Sequence, residues 1–210
     1  MQPEAIAALP DFLVRCGEGR ARFAYPDELG IITTAIGCAL FEQHAFAALE
    51  WRNPDGSQSS TDQVQAAYIQ LRSAAASVIA HGPKLWPGGS HFACLTTIRL
   101  TNEGVDALVT ARLMGFDPDL RTGWPGWDDP SLPWQAQVGL ARLAWACGTR
   151  GNTGCNQGGF PKLHAAWLAR DWETCAQESF LRSITTTEPK GNELEREMFM
   201  ACLTPDPPNA

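Results

Sequence analysis

Glu18-Gly-Arg-Ala-Arg-Phe-Ala-Tyr-Pro-Asp27-Glu-Leu-Gly-Ile-Ile-Thr33-Thr-Ala-Ile-Gly37 is the stretch on which the reading of this 210-residue chain turns. Upstream of it, residues 3–16 carry Ile6, Leu9, Leu13 and Val14 near a helical period, with Pro10 expected to interrupt the helix. Gly17 and Gly19 bracket Glu18 and end that helix. Phe23 and Tyr25 then alternate with smaller or charged neighbours, and Pro26-Asp27-Glu28-Leu29-Gly30 supplies turn chemistry. Ile31 to Ile36 reads as a β-branched return strand. The segment therefore predicts a helix end followed by a hairpin, with Glu18 at the helix end, Asp27 in the turn and Thr33 on the return strand.

Taken singly, Glu18 and Asp27 are an ordinary helix-end charge and an ordinary turn residue. Taken together, a hairpin folded back on a helix terminus can bring two carboxylates and a hydroxyl to one cleft. Glycoside cleavage needs such a set: an acid to protonate the leaving oxygen, and a carboxylate to activate water or stabilise positive charge.

Further along, residues 60–80 give the strongest helical signal, with Ser60, Thr61 or Asp62 as caps and Val64, Ala67, Tyr68, Leu71, Ala75, Val78 and Ile79 on one face. His81-Gly82-Pro83 stops that helix. Another begins near Thr101, with Val105, Leu108, Val109 and Leu113 on its apolar side. Residues 115–134 read as an aromatic, Gly- and Pro-rich connector. Helices are then expected at about 134–147, 160–169, 171–182 and 192–202, ahead of a Pro-rich tail. The fold class that follows is α+β and mostly helical. It comprises an N-terminal lobe over about 1–59, a connecting helix over about 60–80 and a helical C-terminal lobe over about 95–203.

A formal net charge of −7 argues against nucleic acid or an anionic membrane as partner, because both reward clustered Lys and Arg. No window approaches the ~20 apolar residues of a membrane span, and residues 1–4 lack the cationic start of a secretory signal. The expectation is a monomer made in the cytoplasm, which other machinery must move if it works elsewhere. The seven cysteines (16, 38, 94, 147, 155, 175 and 202) contain no C-x-x-C pair. They read as small buried thiols, with a Cys147–Cys155 disulfide as the alternative in an oxidising compartment. Neither His81, His91 and Cys94 nor Cys147, Cys155, His164 and Cys175 has recognised ligand spacing, so no metal and no cofactor is expected. Of the eight tryptophans, most are expected in the core and some on a sugar-binding face.

The spacing Glu18, eight residues, Asp27, five residues, Thr33 resembles the catalytic pattern of the phage-type lysozymes. So do Glu18-Gly19, Tyr25-x-Asp27, Gly30-x-x-Thr33 and Ile36-Gly37 around it. Leu132 to Gln137 with Leu140 to Gly148 is similar to the central helix of the family's helical lobe. Phe160 to Leu163, Asp171 to Ala176 and Asn192 to Phe199 are similar to the helices after it. Residues 12–40 and about 130–203 are covered well, and 41–129 in outline only.

This resemblance implies a lysozyme-like fold, a cleft between lobes, and inverting hydrolysis of the β-1,4 bond between N-acetylmuramic acid and N-acetylglucosamine. Glu18 would be the general acid, Asp27 would orient or activate the water, and Thr33 would hold it. Peptidoglycan strands would be bound with help from Tyr25, Trp145 and Glu178. Three positions depart from the family pattern. Ala35-Ile36-Gly37-Cys38 lacks a glycine and a histidine, Ala146 replaces an amide, and Glu193 stands where relatives place an arginine near the acid. Lys190, Arg182 and Arg196 are the candidates to replace that cation. Given these departures, a weakened wall-binding or phage-structural module of the same fold is the alternative. Use as an antibacterial effector, which would call for an immunity protein as partner, is another.

Overall fold

The structure, a computed structural model, describes residues 1–149, 155, 159–181 and 188–204. It is mostly helical with one small antiparallel sheet, and it divides into two compact units, Met1–Glu18 with Thr110–Ala210 and Gly19–Val109.

In the first unit, α1 spans Pro3–Arg15 and buries Ala5, Leu9, Phe12 and Leu13. It runs unbroken through Pro10, contrary to the expected interruption. The loss of one N–H and one backbone bond is tolerated, since burial of the apolar face supplies more than a single bond withdraws. The buried face is also turned from the one expected: Val14 is exposed and Phe12 is inside.

Helix α4, Asn102–Gly123, starts in the second unit and ends in the first. Its N-terminus is capped as expected, the Thr101 hydroxyl accepting from the Gly104 amide at 2.9 Å. It continues through Pro118 into what read as a connector. Buried Leu113 and Leu120 fix it there, as does Asp117, which is bonded by the N-terminal ammonium (2.7 Å), the Trp127 indole (2.8 Å) and Arg121 (3.1 Å). Burial works against the Asp117 carboxylate, but these three donors outweigh it and hold its pKa down to about 2.

The core of this unit is α5, Trp134–Cys147, whose residues 135–144 are buried without interruption. Around it stand α6 (Pro161–Ala169), α7 (Trp172–Glu178) and α8 (Glu188–Ala201). Gly139 of α5 admits the Phe199 ring of α8, which a Cβ there would meet at 2.8 Å. Four tryptophans gather beside them: Trp124, Trp127 and Trp172 pack on Trp167 with ring centroids 5.6, 6.2 and 5.7 Å away. Each buried indole N–H of Trp124, Trp127 and Trp167 finds an acceptor, so the apolar gain is not offset by a stranded donor.

In the second unit, β1 (Ala21–Pro26), β2 (Ile32–Ala35) and β3 (Cys38–Ala39) form a sheet in that order. The β1–β2 hairpin lies where expected, but β1 runs through Pro26 and β2 is one residue shorter at each end than the expected 31–36; β3 and the short α2, Gln43–Ala47, are additional elements. Helix α3, Thr61–His81, starts with a complete Ser60–Gln63 capping box and buries Val64, Ala67, Leu71, Ala75 and Val78. Tyr68 is half-buried and Ile79 is 62% exposed, so the apolar stripe is narrower than the sequence suggested. The helix packs on β1 and β2. The units divide at 18/19 and 109/110, so residues 60–80 lie inside the second unit, and the second division falls within α4.

Ala35 ends β2 with a left-handed backbone, φ 56°, and is fully buried. Ala35→Gly relieves about 1–2 kcal/mol of Cβ strain, but loses a buried methyl of about 0.8 kcal/mol and frees the unfolded chain by about 0.4–1 kcal/mol. The expected net change in stability is within about 1 kcal/mol. Ala35→Val places a branched Cβ in the same conformation with no room for it, and should cost about 3 kcal/mol or more. Urea midpoints of the two variants check this, and similar losses in both would refute the strain.

Candidate active site

Glu18 is placed by the way α1 ends. The Gly17 amide bonds the Val14 carbonyl at 3.1 Å and the Glu18 amide bonds the Leu13 carbonyl at 3.2 Å. Gly17 has φ 106°. These two bonds and that glycine make a Schellman motif, in which the residue after the glycine is fixed by main chain. Glu18 is that residue, and it is half-buried.

Below it, the end of α1 meets a buried charged group that the sequence reading did not name. Cys16 is buried, and desolvation first of all pushes its thiol up to about 11, with the charges of Arg142, Glu195 and Glu18 all acting on it and Arg142 also hydrogen-bonding it. Arg142 of α5 pairs with Glu195 of α8 at 3.0 Å, their side chains only 6% and 0% exposed. Gly191 lets the guanidinium lie against the α8 backbone, since a Cβ there would meet it at 2.2 Å.

Thus the cation that reaches the end of α1 comes from the centre of the apolar helix. Lys190 and Arg196 are both exposed, Arg196 beside Glu193 in a groove of about 600 Å³, and Arg182 lies outside the described residues. The available signal was an arginine set in the run Val138-Gly-Leu-Ala-Arg142-Leu-Ala, where a charge requires a partner.

In the second unit, Asp27 is fixed by the turn. Its Oδ1 accepts from the Leu29 amide at 2.9 Å and the Ile31 amide at 2.8 Å. Its own carbonyl accepts from Gly30, whose φ of 74° closes the turn. Gly30 sits so near α3 that a Cβ would meet Ile79 at 2.6 Å, so the glycine is required by both conformation and contact. The second oxygen, Oδ2, lies 3.5 Å from the Thr33 hydroxyl, long for a direct bond. Thr33 stands on β2 directly across from Tyr25. Asp27 is half-buried and Thr33 buried. Tyr25 packs its ring on Gly89, where a Cβ would come within 2.8 Å, and the Trp86 indole donates to the Pro26 carbonyl at 3.0 Å.

Tyr25, Asp27 and Thr33 are therefore one constellation on the hairpin, while Glu18, Trp145 and Glu178 belong to the first unit. Trp145 is half-buried on α5, edge-on to Phe116 at 6.3 Å. Glu178 ends α7 beside a groove of about 410 Å³ lined by Phe160 and Phe180, with Lys162 at 3.5 Å. Ala146 is exposed on α5.

None of the seven cysteines, Cys147 and Cys155 included, is joined in a disulfide; burial pushes the Cys155 thiol upward and that of Cys175 up to about 12. Residues 150–154 between Cys147 and Cys155 lie outside the described residues, as do 205–210. Among the described residues no three His, Cys, Asp or Glu side chains converge to hold a metal ion. No helix among them is long and apolar enough to cross a membrane. No family model, no curated protein and no solved structure matches this chain.

Proposed function

We propose that this chain is a peptidoglycan hydrolase of lysozyme-like fold. It would cleave the β-1,4 bond between N-acetylmuramic acid and N-acetylglucosamine, with Glu18 as general acid. Asp27 and Thr33 handle the attacking water. The observation that carries this reading is the turn at Asp27. Two amides take up Oδ1, which leaves Oδ2 beside the Thr33 hydroxyl at 3.5 Å. A carboxylate oxygen that accepts and a hydroxyl that can accept or donate, spaced too far for a good direct bond, form a two-point holder for one water. Water held in this way suits an inverting hydrolysis, in which the second carboxylate acts as base rather than nucleophile.

A sugar alkoxide is a poor leaving group, so the other half of the reaction is a proton delivered to the glycosidic oxygen. Glu18 supplies it. The Schellman turn fixes the backbone of Glu18, so the acid starts from a set position and less ordering is left to the transition state. No cofactor enters this chemistry. The peptidoglycan strand is the partner, read by Tyr25, Trp145 and Glu178. The setting is the periplasm, reached from the cytoplasm, where the chain acts as a bacteriolytic monomer.

Purified murein incubated with the protein tests the reaction class. Mass spectrometry should find new reducing muramic acid ends. Anhydro ends would mean a lytic transglycosylase, and an unchanged glycan would leave a wall-binding or structural module; either result overturns the proposal.

A further inference from the structure

We infer that Arg20, Arg22, Arg52 and Arg99 form a carboxylate-binding groove for the peptide stems of the same peptidoglycan. This rests on the substrate proposed above. The groove lies within the second unit and has a volume of about 660 Å³, in the range of ligand sites and far more than a single small anion fills.

Three separate segments build it. Leu100 donates to the Arg22 carbonyl at 2.7 Å, and Arg52 and Arg99 exchange two backbone bonds of 2.8 Å across an antiparallel bridge. That bridge sets two arginines directly opposite each other, an arrangement that like charges disfavour. Residues 19–109 contain six lysines and arginines, and four of them line this one groove. None of the residues lining it is acidic.

The compensating charges are few. Arg20 pairs with Asp106 at 2.8 Å, and Arg52 reaches the exposed Glu50 at 3.2 Å. Among the described residues neither Arg22 nor Arg99 makes a salt bridge. Arg22 donates from Nε to the Leu100 carbonyl at 2.6 Å. Arg99 donates to the carbonyls of Ala93, Thr96 and Ile98 at 2.6–2.7 Å and lies over the Phe23 ring at 5.7 Å. Those bonds hold the guanidiniums in place without neutralising them. Burial first, then the charge of Arg22, shifts the Arg99 pKa downward.

A chain of net charge −7 that gathers unneutralised arginines in one groove has a place to receive an anion. The guanidinium fork fits a carboxylate with two parallel bonds. Stem peptides carry free carboxylates on every muramic acid they decorate. The groove therefore meets the anionic wall where the rest of the surface would repel it.

Binding is measured by calorimetry on the full chain carrying Glu18→Gln, so that no probe is turned over. The probes are the disaccharide with its tetrapeptide, the bare disaccharide, the free tetrapeptide and tripolyphosphate. The tetrapeptide-bearing disaccharide should bind at least tenfold tighter than the bare one, and the advantage should shrink with salt. Arg22→Gln with Arg52→Gln should erase the advantage, and the bare disaccharide should bind as before. The Lys double variant should fall between, keeping charge but losing the fork. It also guards against a Gln pair that fails to fold.

Equal binding of the two disaccharides, or no effect of either double variant, would overturn the inference. So would tripolyphosphate binding tighter than the tetrapeptide at the same arginines. Free tetrapeptide binding that depends on the arginines, in a protein that leaves murein uncut, would keep the groove and remove the catalytic reading. The two therefore fail separately.

Discussion

Glu18→Gln should reduce the rate of murein lysis by at least 10²–10⁴-fold while leaving the fold intact. The change is nearly isosteric, and the Schellman bonds that fix this residue are made by backbone atoms the substitution does not touch. What disappears is the proton, and a positioned general acid contributes about that factor. In the proposed mechanism Asp27 would act through water, so its loss should be milder. Asp27→Cys should keep more activity than Asp27→Ala, which in turn should keep more than Glu18→Gln. Lytic rates on purified murein, with circular dichroism to confirm folding, check the order. A folded Glu18→Gln protein with unreduced activity would remove Glu18 as the acid.

Arg142→Met should be among the most damaging single changes to stability, about 3–5 kcal/mol, because it strands Glu195 at a position with no solvent exposure. The loss comes from the charge left behind rather than from the missing pair. Arg142→Met with Glu195→Met should therefore recover most of it, since replacing both members of a buried pair by apolar groups is often close to neutral. Denaturant melts of the two singles and the double close the cycle. If the double variant is as unstable as the singles added together, the pair is not the cause. Activity supplies a second readout. Arg142 touches the thiol two residues before Glu18, so a stable double variant with an altered pH–rate profile would show that Arg142 helps to set the acid.

Local features were readable in the chain, and features built from distant residues were not. The hairpin was legible because turn residues and strand alternation lie within one short segment, and the Asp27 turn uses only residues 27–31. The capping of α3 by Ser60 was legible for the same reason. Pro10 does not break its helix, and the connector expected over 115–134 is helical through Pro118 to Gly123, because tertiary burial outweighs one missing bond. The Arg142–Glu195 pair spans 53 residues and has no local signature beyond an arginine where none should be tolerated. The arginine groove is assembled from three stretches that only backbone pairing brings together. Spacing nominated Glu18, Asp27 and Thr33 as candidates, and said nothing of the charges that surround them.

The turns that present Glu18 and Asp27 are both closed by glycines in positive-φ conformations and by main-chain amides. A geometry written into the path of the backbone does not depend on the identity of most neighbouring side chains. Each turn is mutationally robust by itself: substitutions can accumulate around it while its carboxylate keeps its presentation. The fragility of the two turns is concentrated at one glycine in each. At Gly17 a side chain would strain the turn, and at Gly30 it would also collide with Ile79. The least replaceable positions of this chain therefore include two that carry no functional group.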